Sequence, residues 1–130
     1  MTAQKPILLI GNSVSKETAD ALRSDGRFAS TKKLVAASNA GDRDAQRVWR
    51  KAVQALAAGI ASLINVLDPE VVVIGGGIAQ AGEALFRPLK KYLNDFEWRP
   101  GGKKARIVPA KLGDRAGAFG AAWNAIHFPA

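Results

Sequence analysis

Apolar positions change their spacing several times along the chain, and each change predicts an element. Pro6 to Ile10 reads Pro-Ile-Leu-Leu-Ile, a short apolar run closed by Gly11-Asn12, and predicts a first strand. Val14, Thr18, Ala19 and Leu22 then recur at helical intervals. A short helix is therefore expected over Lys16 to Arg23, capped by Ser13 or Ser15 and stopped by Ser24-Asp25-Gly26. Ser30 or Thr31 opens another helical piece that runs to Ala40, where Gly41 breaks it.

Asp42 is placed to cap the longest element. Ala45, Val48, Trp49, Ala52, Val53, Leu56, Ile60, Leu63, Ile64 and Leu67 follow the i, i+3, i+4, i+7 rule, with Arg43, Arg47, Arg50, Lys51 and Gln54 off that stripe. The pattern predicts a helix to about Leu67, amphipathic in its first half and nearly all buried in its second. There Ala57, Ala58, Gly59, Ala61 and Ser62 form a small-residue surface. A glycine inside a helix costs on the order of 1 kcal/mol relative to alanine, so another backbone, a helix or a flat ligand base is expected against Gly59. Pro69 ends the helix.

Val71 to Ile74 are consecutive β-branched residues bounded by a proline and three glycines, and predict a short interior strand buried on both faces. Helical character follows over Ala79 to Phe96, with Ala81, Leu85, Phe86, Leu89, Tyr92 and Leu93 on one face and Arg87, Lys90 and Lys91 on the other. Pro88 inside this run is expected to kink it or to open a second segment. Asn94 to Lys104 reads as a loop, and Ala105 to Ala110 as a third strand whose Pro109 marks an edge or the strand's end. The last helix is expected from Arg115 to about Ala125 with Asp114 as N-cap and a small-residue face of Gly117, Ala118, Gly120, Ala121 and Ala122. Short buried strands separated by helices give an α/β fold with a parallel sheet.

The chemistry concentrates at Gly75-Gly76-Gly77-Ile78. Three glycines remove every Cβ from the turn, so the backbone can take positive φ and a ligand can lie against the main chain. The turn follows a strand and precedes a helix, where α/β folds hold ligands; a tight connection without a ligand is the alternative. Gly11-Asn12-Ser13 also follows a strand, but lacks a phosphate-loop pattern and reads as a plain connection.

Composition narrows the remaining classes. At 130 residues and 48% hydrophobic content, the chain fits one domain with a core. No apolar run approaches the roughly 20 residues of a membrane span, and the start lacks the apolar stretch of a secretory signal, so a cytoplasmic protein is expected. There is no cysteine and one histidine, His127, which argues against thiol chemistry, a zinc site or a Ser-His-Asp triad. The net charge of +8 gathers at Arg87, Lys90, Lys91, Arg99, Lys103, Lys104, Arg106, Lys111 and Arg115, against Asp95, Glu97 and Asp114. That stretch is either a phosphate-facing surface or a solvated face.

From about Asp42 onward the sequence resembles the carboxyl-terminal portion of ROK-family sugar kinases, the glucokinase-like branch of the actin/hexokinase superfamily. The resemblance rests on Ala58 to Glu70 (Ala-Gly-Ile-Ala-Ser-Leu-Ile-Asn-Val-Leu-Asp-Pro-Glu), Val71 to Ile78, Ala81 to Leu85, and Ile107 to Ala122 with its Leu-Gly-Asp-Arg-Ala-Gly segment. It implies a partial actin-like, ribonuclease-H-like domain: residues 1–41 form a weakly matched strand and short helices, and residues 42–130 the αβαβα portion of the family. It also implies that Gly75, Gly76, Gly77 and Ile78 line the adenosine side of an interdomain cleft, with ATP and magnesium as cofactors. Asp114 and Gly117 become packing and hinge residues.

Other family features are not matched. The amino-terminal Asp-x-Gly-Gly phosphate loop, the Asn-Asp pair that activates the sugar hydroxyl, the Glu-x-Gly-His sugar contact and the Cys/His zinc motif have no counterpart here. No residue is assigned as catalytic or as a metal ligand, and sugar would bind only with the unmatched domain. The expected function is therefore a nucleotide-side portion of a sugar kinase, inactive alone. The alternative is a non-catalytic regulatory or oligomerisation module of ROK type. Nucleic-acid binding is the poorest fit, since no stacking platform recurs beside the charges. The apolar small-residue surfaces of the long and final helices lead to the expectation of a homo-oligomer.

Overall fold

The computed structural model describes residues 7–10 and 30–128. Strand β1 spans Ile7–Ile10, helix α1 Thr31–Asn39, helix α2 Arg43–Leu67 and strand β2 Val71–Ile74. A 3-10 turn over Gly77–Ala81 leads into helix α3, Glu83–Phe96; strand β3, Arg106–Pro109, a second 3-10 turn, Gly113–Arg115, and helix α4, Ala116–His127, follow among the described residues. The expected helix over Lys16 to Arg23 and the Gly11-Asn12-Ser13 connection lie outside the described residues.

The three strands form one parallel sheet in the order β1-β2-β3. Register pairs Ile7 with Val71 and Val71 with Arg106, so β2 is central. Parallel neighbours need crossovers. The chain from β1 to β2 includes α1 and α2, while α3 connects β2 to β3. Arg106 N–H bonds to the Glu70 carbonyl and Ala110 N–H to the Ile74 carbonyl, both at 2.9 Å. The even-numbered amides of β3 thus face β2, and the position of Pro109, which has no amide proton, faces outward as its place on an edge requires.

Local chemistry sets the helix ends. Ser30 Oγ accepts from Lys33 N–H at 3.3 Å to start α1, and Asp42 Oδ1 accepts from the amides of Asp44 and Ala45 at 2.9 and 3.0 Å to start α2. Between them Gly41 takes φ 95°. At the far end Asp68 closes α2 in the left-handed region, φ 45° and ψ 52°, with its N–H on the Ile64 carbonyl. Pro69 follows and prevents continuation.

Among the described residues the core is one cluster. Ala45, Trp49, Val53, Ala57, Ile60 and Ile64 of α2 meet Leu85, Phe86, Leu89 and Leu93 of α3 over Val72, Ile74 and Ile107 of the sheet. Val72 and Ile107 are register partners, so these strand residues share the helix-covered face. Two expectations change here. The central strand is not buried on both faces, because Val71 and Val73 are only half-buried. The second half of α2 is likewise not enclosed: Ala58, Gly59, Ser62, Leu63, Val66 and Leu67 are exposed. A single face of that helix meets the sheet and α3, and nothing lies within 4 Å of a Cβ built on Gly59.

The expected helix over Ala79 to Phe96 is two elements, separated at Gly82, whose φ of 54° and ψ of −132° no side-chain-bearing residue adopts comfortably. Pro88 opens no second segment and lies inside α3. Its missing amide would have bonded the Ala84 carbonyl. That carbonyl instead accepts the indole Nε1–H of Trp49 at 2.9 Å. Asp114 is not the N-cap of the last helix. It belongs to the Gly113–Arg115 turn, and Arg115 stands at the cap position without a side-chain cap bond.

Candidate functional site

Gly75 to Ile78 lie at the carboxyl end of β2. Gly75 follows the last strand residue, Ile74, and is half-buried. Gly76 takes φ 76° and ψ −173°, a region essentially restricted to glycine, and turns the chain sharply. Gly77 begins the 3-10 turn, which is held by Ala79 N–H on the Gly76 carbonyl at 3.1 Å and by Gly82 N–H on the Ala79 carbonyl at 3.2 Å. Ile78 packs against the core and anchors the turn from below. Above it, a Cβ on Gly77 would meet nothing within 4 Å, so the main chain there is open to a ligand's face. A main chain bare of side chains beside a partly buried Ile78 suits the flat face of a nucleoside base better than a metal ion.

The fold brings a second motif to this turn. Gly113–Arg115 lies against Gly77–Ala81, and α1 touches the same segment. The Leu112-Gly113-Asp114-Arg115 stretch and the triple glycine, far apart in sequence, thus form one structural corner. Their adjacency was invisible in the sequence because each motif reads as an independent turn. Gly113 has φ 52°, which explains its glycine. Gly117, expected as a packing residue, is exposed and has nothing within 4 Å of its Cβ position.

The basic stretch separates into two groups. Arg87, Lys90 and Lys91 are exposed on α3, whereas Arg99 is held inside a loop frame. Glu97 Oε2 accepts from Arg99 Nη2 at 2.8 Å and Glu97 Oε1 from Ala105 N–H at 3.2 Å, so one carboxylate closes both ends of the connection from α3 to β3. Asn94 Oδ1 accepts from Arg99 and from Lys104, and Asn65 Oδ1 accepts from Trp98 N–H at 3.0 Å. A groove of about 660 Å³, lined by Trp98, Arg99, Lys103, Lys104, Asp68 and Glu70 among others, runs along this frame at the amino ends of β2 and β3. Its mixed charge and its place at the other end of the strands separate it from the glycine corner. Ligands in open α/β sheets sit at the carboxyl ends.

Among the described residues no group of three or more His, Cys, Asp and Glu could hold a metal ion, and no helix is long and apolar enough to cross a membrane. The model of the ROK family matches residues 10–127. The chain is 39% identical over 94 residues to a glucokinase from Thermotoga maritima, covering 72% of this chain and 30% of that protein. It is 36% identical over 109 residues to a glucokinase from Halalkalibacterium halodurans, covering 83% and 33% respectively. Among solved structures it is similar to a ROK family glucokinase from Streptomyces griseus in complex with glucose and AMPPNP. The TM-score is 0.61 at 33% identity, over 83% of this chain and 36% of that one. The chain therefore spans about a third of the length of the curated relatives it matches. The α/β architecture with short parallel strands is that of the actin-like kinases, and with the match spanning most of its length, the chain belongs to the ROK family.

Proposed function

We propose that the chain is the carboxyl-terminal, nucleotide-side portion of a ROK-type ATP-dependent sugar kinase, with Gly75, Gly76, Gly77 and Ile78 taking the adenosine of ATP. The observation that carries this reading is the bare main chain at Gly77 over an Ile78 floor at the end of the central strand. The AMPPNP bound in the Streptomyces griseus relative supports it. The family match over residues 10–127 takes in most of residues 1–41 together with residues 42–130, so the family portion begins ahead of Asp42. Phosphoryl transfer needs positioned phosphates, a divalent metal and an oriented nucleophile. Magnesium would supply charge neutralisation at the phosphates, and no carboxylate of this chain is assigned to it. A base for the sugar hydroxyl is also unassigned, so the chain alone binds nucleotide without turning over a hexose. It works in the cytoplasm and self-associates through its exposed apolar helix surfaces.

The test is ATP-dependent thermal stabilisation of the purified chain at millimolar ATP, compared with Gly77→Val. Gly77 is a cleaner probe than Gly76, because its φ is outside the left-handed region and the added side chain enters open space rather than straining the turn. Stabilisation of the parent and its loss in Gly77→Val are expected, with unchanged far-ultraviolet dichroism. No shift in the parent means that the glycines form only a turn.

A further inference from the structure

The bond from Trp49 to Ala84 joins two features that sequence reading treats separately, a tryptophan on the stripe of α2 and a proline inside α3. In an α-helix the carbonyl of residue 84 belongs to the amide of residue 88, and Pro88 has none. A buried carbonyl without a partner is costly. Trp49, only 7% exposed, reaches across the α2–α3 interface and donates its indole N–H at 2.9 Å.

The location gives the bond its consequence. Ala84 lies in the first turn of α3, and the carbonyl of Gly82, two residues earlier, accepts the amides of Leu85 and Phe86 at 2.9 Å. Gly82 N–H is bonded to Ala79, and Ala79 N–H to Gly76. A continuous chain of hydrogen bonds therefore runs from the pinned turn of α3 back to the glycine corner. Both ends of that segment are glycines at positive φ, Gly76 and Gly82, the kind of residue about which a segment swings most readily. Something must fix its orientation against the long helix, and the indole is the polar tie that does so.

We infer that Trp49 is a positioning residue: its indole N–H stands in for the amide that Pro88 lacks, and so holds the start of α3 and the Gly76–Gly82 segment in register on α2. The functional consequence, that Trp49 sets the orientation of the nucleotide turn, rests on the function proposed above; the structural coupling does not.

Amide hydrogen exchange of the full chain by NMR tests it with Trp49→Phe, which keeps an aromatic ring and loses the donor, and with Trp49→Phe/Pro88→Ala, where the amide restored at position 88 can satisfy the Ala84 carbonyl. In Trp49→Phe, exchange at Ala79, Gly82, Leu85 and Phe86 is expected to rise about tenfold, with less than a threefold change at Ala57 and Ile60 of α2. The double variant is expected to return to within threefold of the parent. Uniform acceleration, no acceleration, or no rescue by Pro88→Ala overturns the inference. Should Trp49→Phe fail to fold, refolding of the double variant supports the inference, and failure of both overturns it. If the parent binds ATP, its affinity should fall about fivefold in Trp49→Phe and recover in the double variant. If the parent binds none, the nucleotide reading has failed while the exchange experiment still decides the coupling.

Discussion

Glu97 shows how much one side chain can organise. It ends α3, pairs with Arg99 and receives the Ala105 amide, and in the ion pair the arginine side chain is 18% exposed and the glutamate 5%. Removing one member of a largely buried pair leaves the other charge uncompensated, a cost of about 3 kcal/mol. Glu97→Ala is therefore expected to lower stability by roughly that amount in urea denaturation, whereas breaking the exposed Asp44–Arg47 pair should have no measurable effect. Contacts at this scale were legible in the sequence only when local. The caps at Ser30 and Asp42 could be read because donor and acceptor lie within three residues of each other. Glu97 to Ala105, Asn65 to Trp98 and Trp49 to Ala84 could not, because sequence spacing carries no information about which loops and helices meet. The glycines of the candidate site were readable for a related reason: absence of a side chain is itself local.

Among the elements, α2 was read almost to the residue at both ends, yet its burial was overestimated. Periodicity locates an apolar stripe but not what covers it, and in this chain only the face carrying Val53, Ile60 and Ile64 finds partners. Helix α4 is the stronger case. Every residue of it is exposed, including Phe119, Trp123 and Ile126, and the Trp123 and His127 rings stack on each other at 3.7 Å. A helix of 12 residues is marginal in water by itself and gains stability mainly from packing an apolar face. Such a face in solution is an association surface. Light scattering of the parent at micromolar concentration is expected to give a mass above 13.7 kDa that grows with concentration. Phe119→Glu/Trp123→Glu should return it to the monomer value without changing the melting temperature by more than a few degrees. A parent already at the monomer mass would mean that α4 needs no partner.

For the whole molecule, the α/β class and the parallel strands followed from sequence, but the strand order did not. Which of two apolar runs neighbours Val71–Ile74 depends on crossover geometry, and β2 emerged as central because both β1 and β3 pair with it. The half-buried Val71 and Val73 mark the same lesson at the sheet's second face, where coverage is a property of the assembly of elements. The absence of an assignable sugar base leads to an expectation at this scale. The purified chain with glucose and Mg-ATP should show no turnover above a denatured control in a coupled phosphorylation assay. Turnover that disappears on replacing a single carboxylate, such as Asp42 or Asp68, would show that the chain carries a complete catalytic centre.

Pro109 adds a constraint on how copies of this molecule can come together. A bare sheet margin is a template on which further strands can polymerise, the route to fibrils and to swapped dimers. Along the outer margin of β3 the outward-facing positions are Ile107 and Pro109, since the Arg106 amide already faces inward, and Pro109 has no amide to offer. An incoming strand would find one donor and then a gap, too little to register. Among the described residues that margin is a poor template for a further strand, so contacts made there are expected to form between side chains rather than by main-chain propagation.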